Sequence, residues 1–144
     1  MSISISYLNT ERYADPTAYE ALKNIERSEK RQFRPLVYVC SPYSGDIKAN
    51  TEAARRYCRF AVDKGYIPVA PHLLYPQFLD DTDDDDRNLG LFFGNVLMSK
   101  CHEVWVFGSR ISSGMEAEIT RAKRKNFVIR HFSTDLKEVT EHER

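Results

Sequence analysis

The chain has 144 residues, 42% of them apolar and 29% charged, which suits one globular domain with a core of its own. Its 21 Lys and Arg residues balance 21 Asp and Glu residues, which excludes a basic field over the whole surface and argues against nucleic acid as a partner, although a local basic patch stays open. No apolar run approaches the ~20 residues that span a bilayer, and the N-terminus lacks the features of a secretory signal. Three cysteines at unrelated spacings predict neither disulfides nor a zinc ribbon, and we expect a reduced, cytoplasmic protein without a membrane partner.

Residues 1–34 predict an N-terminal helical extension. Pro16 is typical of a helix start, and the apolar residues Tyr19, Leu22 and Ile25 follow at helical spacing. We expect a surface helix without chemistry, packed on the main domain or on a second copy.

From residue 35 onward, short β-branched and aromatic runs alternate with helical patterns. Strands are predicted at 36–40, 66–69, 103–107 and 127–130. Helices are predicted at about 46–64, 88–100 and 113–125. The helix at 88–100 is nearly continuously apolar, so we expect much of it to be buried. Residues 70–88 predict a loop, rich in proline and then in aspartate, and 133–144 a polar, helix-prone tail. Strands that alternate with helices form a parallel sheet with right-handed crossovers, so an α/β fold is predicted.

Ligands of an open parallel sheet bind beyond the carboxyl ends of its strands, where the strand order reverses. The segments predicted to meet there are 40–46, 70–76 and 108–114. The first contributes Ser41, Tyr43 and Ser44 but lacks the ending of a Walker A loop and the Rossmann glycine fingerprint. It is either a loose cradle for a phosphate or sugar or a Pro/Gly turn with a serine cap.

The third segment opens a helix, and a helix start after a strand suits a phosphate. Ser112 and Ser113 can both cap this helix, Gly114 permits close approach to the backbone, and Glu116 has capping-box spacing from Ser113. Glu118, one turn further, either faces a bound sugar and attacks its anomeric carbon or is a solvated acid favoured by the helix dipole.

Three further polar features each allow more than one interpretation. Asn95 lies on an apolar stripe and bonds either a ligand or the backbone. His72, at a strand's carboxyl end, is either an acid or base or a structural residue, and it has no second ligand nearby. The acidic run at 80–86 lacks the glycine and glutamate of a calcium loop, so we expect a solvated loop or a lid, and no metal site.

Three stretches together resemble the nucleoside 2-deoxyribosyltransferase-like superfamily, and most closely its small bacterial and phage domains. They are VYVCSPYSG, the Gly-Tyr-x-Pro-x-x-Pro-His pattern at 65–72, and CHEVWVFG followed by SSGMEAEI. The resemblance covers about 35–132. It implies that Glu118 is the catalytic nucleophile, that Ser112 contacts a phosphate and that Tyr38 orients the glutamate or the sugar.

The chain departs from this superfamily at Asn95, where a related branch carries an aspartate near the sugar or base. Because an amide cannot act as a carboxylic acid, proton transfer to the leaving base would pass to Glu116, His72 or an aspartate of the acidic run. The alternative is a domain of this branch that binds nucleotides without cleaving them.

The alternation and the resemblance together predict a three-layer α/β sandwich, Rossmann-like or flavodoxin-like, with about five mostly parallel strands. The domain would span 35–132, between the extension and the tail. The implied function is cleavage of a nucleoside or nucleotide N-glycosidic bond, by a hydrolase or a deoxyribosyltransferase, with neither cofactor nor metal. A nucleotide sensor or an interaction domain is the alternative. The superfamily implies a homo-oligomer, for which the helix at 88–98 would supply the surface.

Overall fold

The computed structural model describes residues 16–31 and 33–140. The chain divides into two units, 1–33 and 34–144. In the first unit, helix α1 spans Pro16–Arg31 and begins at the predicted proline. The Lys23 ammonium lies 5.5 Å from the centre of the Tyr19 ring, one turn away on the same side of this helix. The rest of the predicted extension, 1–15, falls outside the described residues.

The second unit is a five-stranded sheet with helices on both faces. Its strands are β1 (Leu36–Cys40), β2 (Ile67–Val69), β3 (Glu103–Phe107), β4 (Val128–Phe132) and β5 (Glu138–Val139). Its helices are α2 (Ile47–Asp63), α3 (Pro71–Leu74), α4 (Asp84–Ser99) and α5 (Ser113–Arg124), with a 3-10 turn at Tyr75–Gln77. The strand order is β2-β1-β3-β4-β5; the first four strands are parallel and β5 is antiparallel. This order confirms the predicted α/β class of flavodoxin-like type.

The strands bury different side chains on their two faces, because successive residues of a strand point in opposite directions. On one face, Tyr38 and Cys40 pack with Met98 of α4 and with Met115 and Ile119 of α5. The other face is an aromatic core closed by α2, whose main members are Tyr57, Trp105, Phe107 and Phe132. Strand order reverses between β1 and β3, so the first face places the carboxyl end of β1 beside α4 and α5.

Helix α4 differs from its prediction in extent and in burial. It begins at Asp84, and the side chain of Asp83 caps it by accepting from the Asp85 amide at 3.1 Å. The end of the predicted acidic loop is therefore a first helical turn, where the dipole favours carboxylates. The expected burial is wrong: Leu89, Phe92 and Val96 are 45%, 60% and 41% exposed. Apolar residues occur all around this helix, but only one side meets the sheet.

Three smaller predictions also need correction. The tail is not helical up to residue 140: it turns back and pairs Glu138 with Phe132 in β5, and 141–144 lie outside the described residues. The predicted loop at 70–88 contains α3 and the 3-10 turn. Strand β4 lies one or two residues further along the chain than predicted.

No helix among the described residues combines the length and apolar character needed to cross a membrane.

Candidate active site

A cavity of about 210 Å³ opens beside the carboxyl end of β1, between α3, α4 and α5. The loop after β1, the α3 segment and the loop before α4 form much of its wall. The residues that line it are Tyr38, Tyr43, Pro71, His72, Tyr75, Pro76, Leu79, Asp81, Asp86, Arg87, Gly90, Leu91, Gly94, Glu118 and Arg121. This is the edge of the sheet at which ligands of open parallel sheets bind.

Glu118 and Tyr38 form a polar pair in the wall of this cavity. Tyr38 projects from β1 and is 3% exposed, and its hydroxyl donates a hydrogen bond to the Glu118 carboxylate. Burial raises the pKa of Glu118 to about 7, against the opposing effects of the Tyr38 hydrogen bond, the Arg121 charge and a hydrogen bond from Cys40. Burial and the neighbouring carboxylate hold the pKa of Tyr38 above its usual range. At neutral pH the carboxyl is therefore poised between its two protonation states.

Helix α4 passes close to this pair because it presents glycines there. A Cβ atom at Gly94 would lie 3.4 Å from the Tyr38 hydroxyl, and one at Gly90 would lie 3.7 Å from Leu79 Cδ1. Asp86, Gly90 and Gly94 recur every four residues, so they share one side of α4. Because Gly90 and Gly94 have no side chains, the space beside them on this side of α4 is part of the cavity.

Two arginines also line the cavity, one on each of the facing helices. Arg121 follows Glu118 by three residues in α5, and Arg87 lies in the first half of α4. The Arg121 Nε atom is buried and has no hydrogen-bond partner. The nearness of this charge lowers the pKa of Glu118, but no described residue forms an ion pair or a hydrogen bond with its guanidinium. The cavity thus contains unused hydrogen-bond donors.

His72 and Ser41 bond to each other at the edge of the cavity. The Ser41 hydroxyl and His72 Nε2 are 2.8 Å apart, and burial lowers the pKa of His72 to about 4. The imidazole is therefore neutral above about pH 5. The neighbouring loop is held by Asn50, whose amide donates to the carbonyls of Tyr43 and Ser44 at 3.0 Å each. Of the predicted site residues, the structure thus brings Tyr38, Tyr43, His72 and Glu118 to one cavity, with Ser41 bonded to His72.

Four other predicted site residues do not line the cavity: Ser44, Asn95, Ser112 and Gly114. Ser112, rather than Ser113, caps α5, and its hydroxyl accepts from the Met115 amide at 3.2 Å. The Oδ1 atom of Asn95 is buried without a hydrogen-bond partner. Glu116 is exposed, as a first-turn acid.

Most of the other lining residues were not predicted as part of the site, and three of these are Asp86, Arg87 and Arg121. Asp86 belongs to the acidic run that was expected to be a solvated loop or a lid, Arg87 directly follows that run, and Arg121 lies in the last turn of α5. A usable signal existed for each group. The Asp86, Gly90 and Gly94 spacing marks a helix side without bulk, and Arg121 lies one turn from Glu118 on the same side of α5. Among the described residues, no group of three His, Cys, Asp or Glu side chains is placed to hold a metal ion.

The fold and this edge of the sheet define the protein as an α/β protein of flavodoxin-like architecture. The solved structure of a 2-deoxyribosyltransferase from the psychrotolerant bacterium Bacillus psychrosaccharolyticus is similar, with a TM-score of 0.60 and 12% sequence identity over 75% of this chain and 78% of that one. At this identity the likeness shows a common fold.

The family itself is defined by sequence. Residues 35–132 match the model of the domain of unknown function DUF7768, and the chain belongs to this family. No curated protein matches the chain.

Proposed function

We propose that this protein cleaves the N-glycosidic bond of a nucleoside or nucleotide, with Glu118 as nucleophile. The observation that carries the proposal is the Tyr38–Glu118 pair in the wall of a cavity at the edge where the strand order reverses. A carboxylate that is shielded from water and held by a phenol is suited to attack an electrophilic sugar carbon. The deoxyribosyltransferase-like fold supports a nucleoside as the ligand.

The reaction would proceed in two steps. A Glu118 oxygen bonds to the anomeric carbon while the bond from that carbon to the base breaks, and the bonding electrons leave with the base nitrogen. Water then hydrolyses the glycosyl ester in a hydrolase, or a second base displaces Glu118 in a transferase. Tyr38 orients the carboxylate for its attack, because the Tyr38 hydroxyl donates a hydrogen bond to Glu118 in the free protein.

Proton transfer to the base has a candidate group despite Asn95. Asp81, near the start of the acidic run, and Asp86, in the first turn of α4, line the cavity. The Asp86 carboxylate accepts from the Asp80 amide at 2.9 Å, which ties the loop to the first turn of the helix. The base either takes its proton from one of these two aspartates or leaves as an anion that water protonates.

The proposal is tested by incubating the full chain with 2′-deoxynucleosides and their 5′-monophosphates and measuring free base. We expect release that is lost in Glu118→Ala and kept in Glu116→Ala, since Glu116 is exposed two residues away on the same helix. Intact-protein mass spectrometry should detect a sugar bound to the wild type under rapid quenching. Equal release by both variants would reject Glu118 as the nucleophile.

The second candidate is a nucleotide-binding domain without catalysis, and Asn95 favours it. Its amide cannot act as a carboxylic acid, and its Oδ1 atom, which does not line the cavity, is buried without a hydrogen-bond partner. This alternative predicts that a nucleotide raises the melting temperature while no base is released at any pH.

A homo-oligomeric state and a cytoplasmic location remain part of the proposal. The exposed apolar side of α4, formed by Leu89, Phe92 and Val96, supports a contact between copies. Light scattering during gel filtration should give at least a dimer mass for the wild type. Phe92→Glu should shift it to the monomer if this surface is the contact.

A further inference from the structure

Arg121 is a charged side chain that the fold leaves without a bonding partner. Its Nε atom is buried and unbonded, and Arg121 lines the same cavity as Glu118. A buried donor without an acceptor is unfavourable, more so when it is charged. No described residue accepts from it, so a group that enters the cavity is the available acceptor.

The direction of α5 indicates which part of a ligand this arginine meets. Arg121 lies about 4.5 Å along the helix from Glu118, on the C-terminal side. Ser112 and the start of α5 lie on the other side of Glu118, beyond the residues that line the cavity, and the positive end of the helix dipole favours a phosphate in that direction. A nucleotide whose anomeric carbon sits over Glu118 would direct its 5′ end towards the helix start. Its base would then lie towards Arg121.

We propose that Arg121 is a catalytic residue that stabilises the departing base by donating hydrogen bonds to it. The inference rests on the proposed glycosidic reaction. As the bond to the anomeric carbon breaks, the electron pair stays on the base nitrogen, and the negative charge spreads over the acceptor atoms of the base. The guanidinium bonds these atoms and keeps its own proton. The base leaves as an anion and takes its proton from water.

This role differs in a measurable way from that of a carboxylic acid. An acid must be protonated, so its ionisation reduces the rate at high pH, whereas arginine stays charged throughout. The rate should therefore rise as Glu118 ionises, around pH 7, and then stay level to about pH 9. A fall above neutral pH in the wild type would indicate a general acid and contradict the inference.

The decisive experiment compares two leaving groups in the full chain. One is the natural base of the nucleoside or monophosphate that the wild type cleaves best; the other is 4-nitrophenolate on the same 2-deoxyribosyl group, which leaves without help. We expect Arg121→Gln to lower kcat about 10²-fold to 10³-fold with the natural base and less than about 5-fold with nitrophenolate. Arg121→Lys, which keeps the charge but not the planar donors, should fall between.

The matched control is Arg124→Gln, since Arg124 lies in the same last turn of α5, is exposed and does not line the cavity. It should match the wild type with both substrates, and all variants should keep the melting temperature within a few degrees. An equal loss with both leaving groups, or no loss with either, overturns the role of Arg121. If the wild type releases nitrophenolate but Glu118→Ala does not, the nucleophile is supported whatever Arg121 does. If the wild type cleaves neither substrate, the glycosidic function and the inference both fail.

Discussion

Two arginines, one on each face of the sheet, differ in whether they have bonding partners within the protein. On the aromatic face, Arg130 donates to both oxygens of Glu138 at 2.8 Å and lies 3.8 Å from Glu103. It also stacks 4.9 Å from the centre of the Trp105 ring. On the other face, Arg121 has no ion pair or hydrogen bond with any described residue. The cluster around Arg130 therefore stabilises the fold, whereas we propose that Arg121 donates to a ligand.

Two glutamates repeat the contrast. The carboxylate of Glu103 accepts from Trp105 Nε1 at 3.0 Å and from the Tyr66 hydroxyl at 2.8 Å, with Arg130 beside it. The carboxyl of Glu118 receives neutral donors, and burial raises its pKa to about 7. A charge that is partnered within the protein contributes to stability. A carboxyl group whose ionisation is opposed by burial can gain or lose a proton near neutral pH, which suits it to catalysis.

The largest effect that would sharpen this contrast is the pH dependence of stability at Glu118. Its pKa rises from 4.5 in the unfolded chain to about 7 in the folded protein, so the folded state binds more protons between these values. Wild-type stability should therefore fall as pH rises from about 4.5 through 7. Glutamine at this position cannot ionise. The free energy of unfolding of Glu118→Gln, relative to that of the wild type, should therefore increase by about 2–3 kcal/mol as the pH rises from 5 to 8.5.

Urea denaturation of both proteins at the two pH values measures this difference. The exposed Glu116→Gln serves as the control and should show no pH-dependent gain. A Glu118→Gln gain that is the same at pH 5 and pH 8.5 would mean that burial does not oppose the ionisation of this carboxyl.

A smaller effect is expected at Gly94, where the glycine admits α4 beside Tyr38. Gly94→Ala should raise helix stability by up to about 1 kcal/mol, because alanine is the better helix former. The new methyl would lie 3.4 Å from the Tyr38 hydroxyl and should weaken ligand binding by about 1–3 kcal/mol. Calorimetric titration and urea denaturation separate the two effects.

Gly90→Ala is the matched comparison, one turn away on the same side of α4. Its methyl meets Leu79 rather than Tyr38, at 3.7 Å. It should gain similar helix stability but lose less affinity. Equal losses of affinity in the two variants would show that the Tyr38 contact is not what the glycine protects.

The smallest effect is expected on the aromatic face. Arg130→Lys should cost about 1 kcal/mol, because the bidentate contact to Glu138 is lost in a cluster that is partly open to solvent. Ligand binding and turnover should not change. Arg121→Lys is expected to do the reverse, with little effect on the urea midpoint and a clear effect on turnover. A loss of activity in Arg130→Lys would contradict the idea that Arg130 contributes to stability alone and Arg121 to turnover.

Much of the fold follows from the sequence because the parallel strands are short, buried and separated by amphipathic helices. Strand β3 was predicted at its observed bounds, and α2 and α5 to within about a residue. The meeting of Tyr43, His72 and Glu118 also follows, since the carboxyl ends of parallel strands share one edge.

The rest depends on tertiary contacts that local patterns do not contain. The acidic composition around Asp86 suggested solvent, because nothing local shows that α4 turns this residue towards a cavity. Phe92 is apolar but exposed, since periodicity cannot tell which side of a nearly continuous apolar helix meets the sheet. Strand β5 has only two residues, Glu138 and Val139, which is too short a run for alternation to predict a strand.

That short last strand has a consequence for anyone who trims the protein to the matched segment. It shields the outer backbone of β4 and supplies Glu138, the carboxylate that holds Arg130. A polypeptide cut after Phe132 would leave the outer backbone groups of β4 unpaired, and Arg130 would keep Glu103 but lose its bidentate partner. Such an open margin recruits strands from other molecules, so the trimmed form should precipitate or self-associate under conditions that keep the longer one in solution.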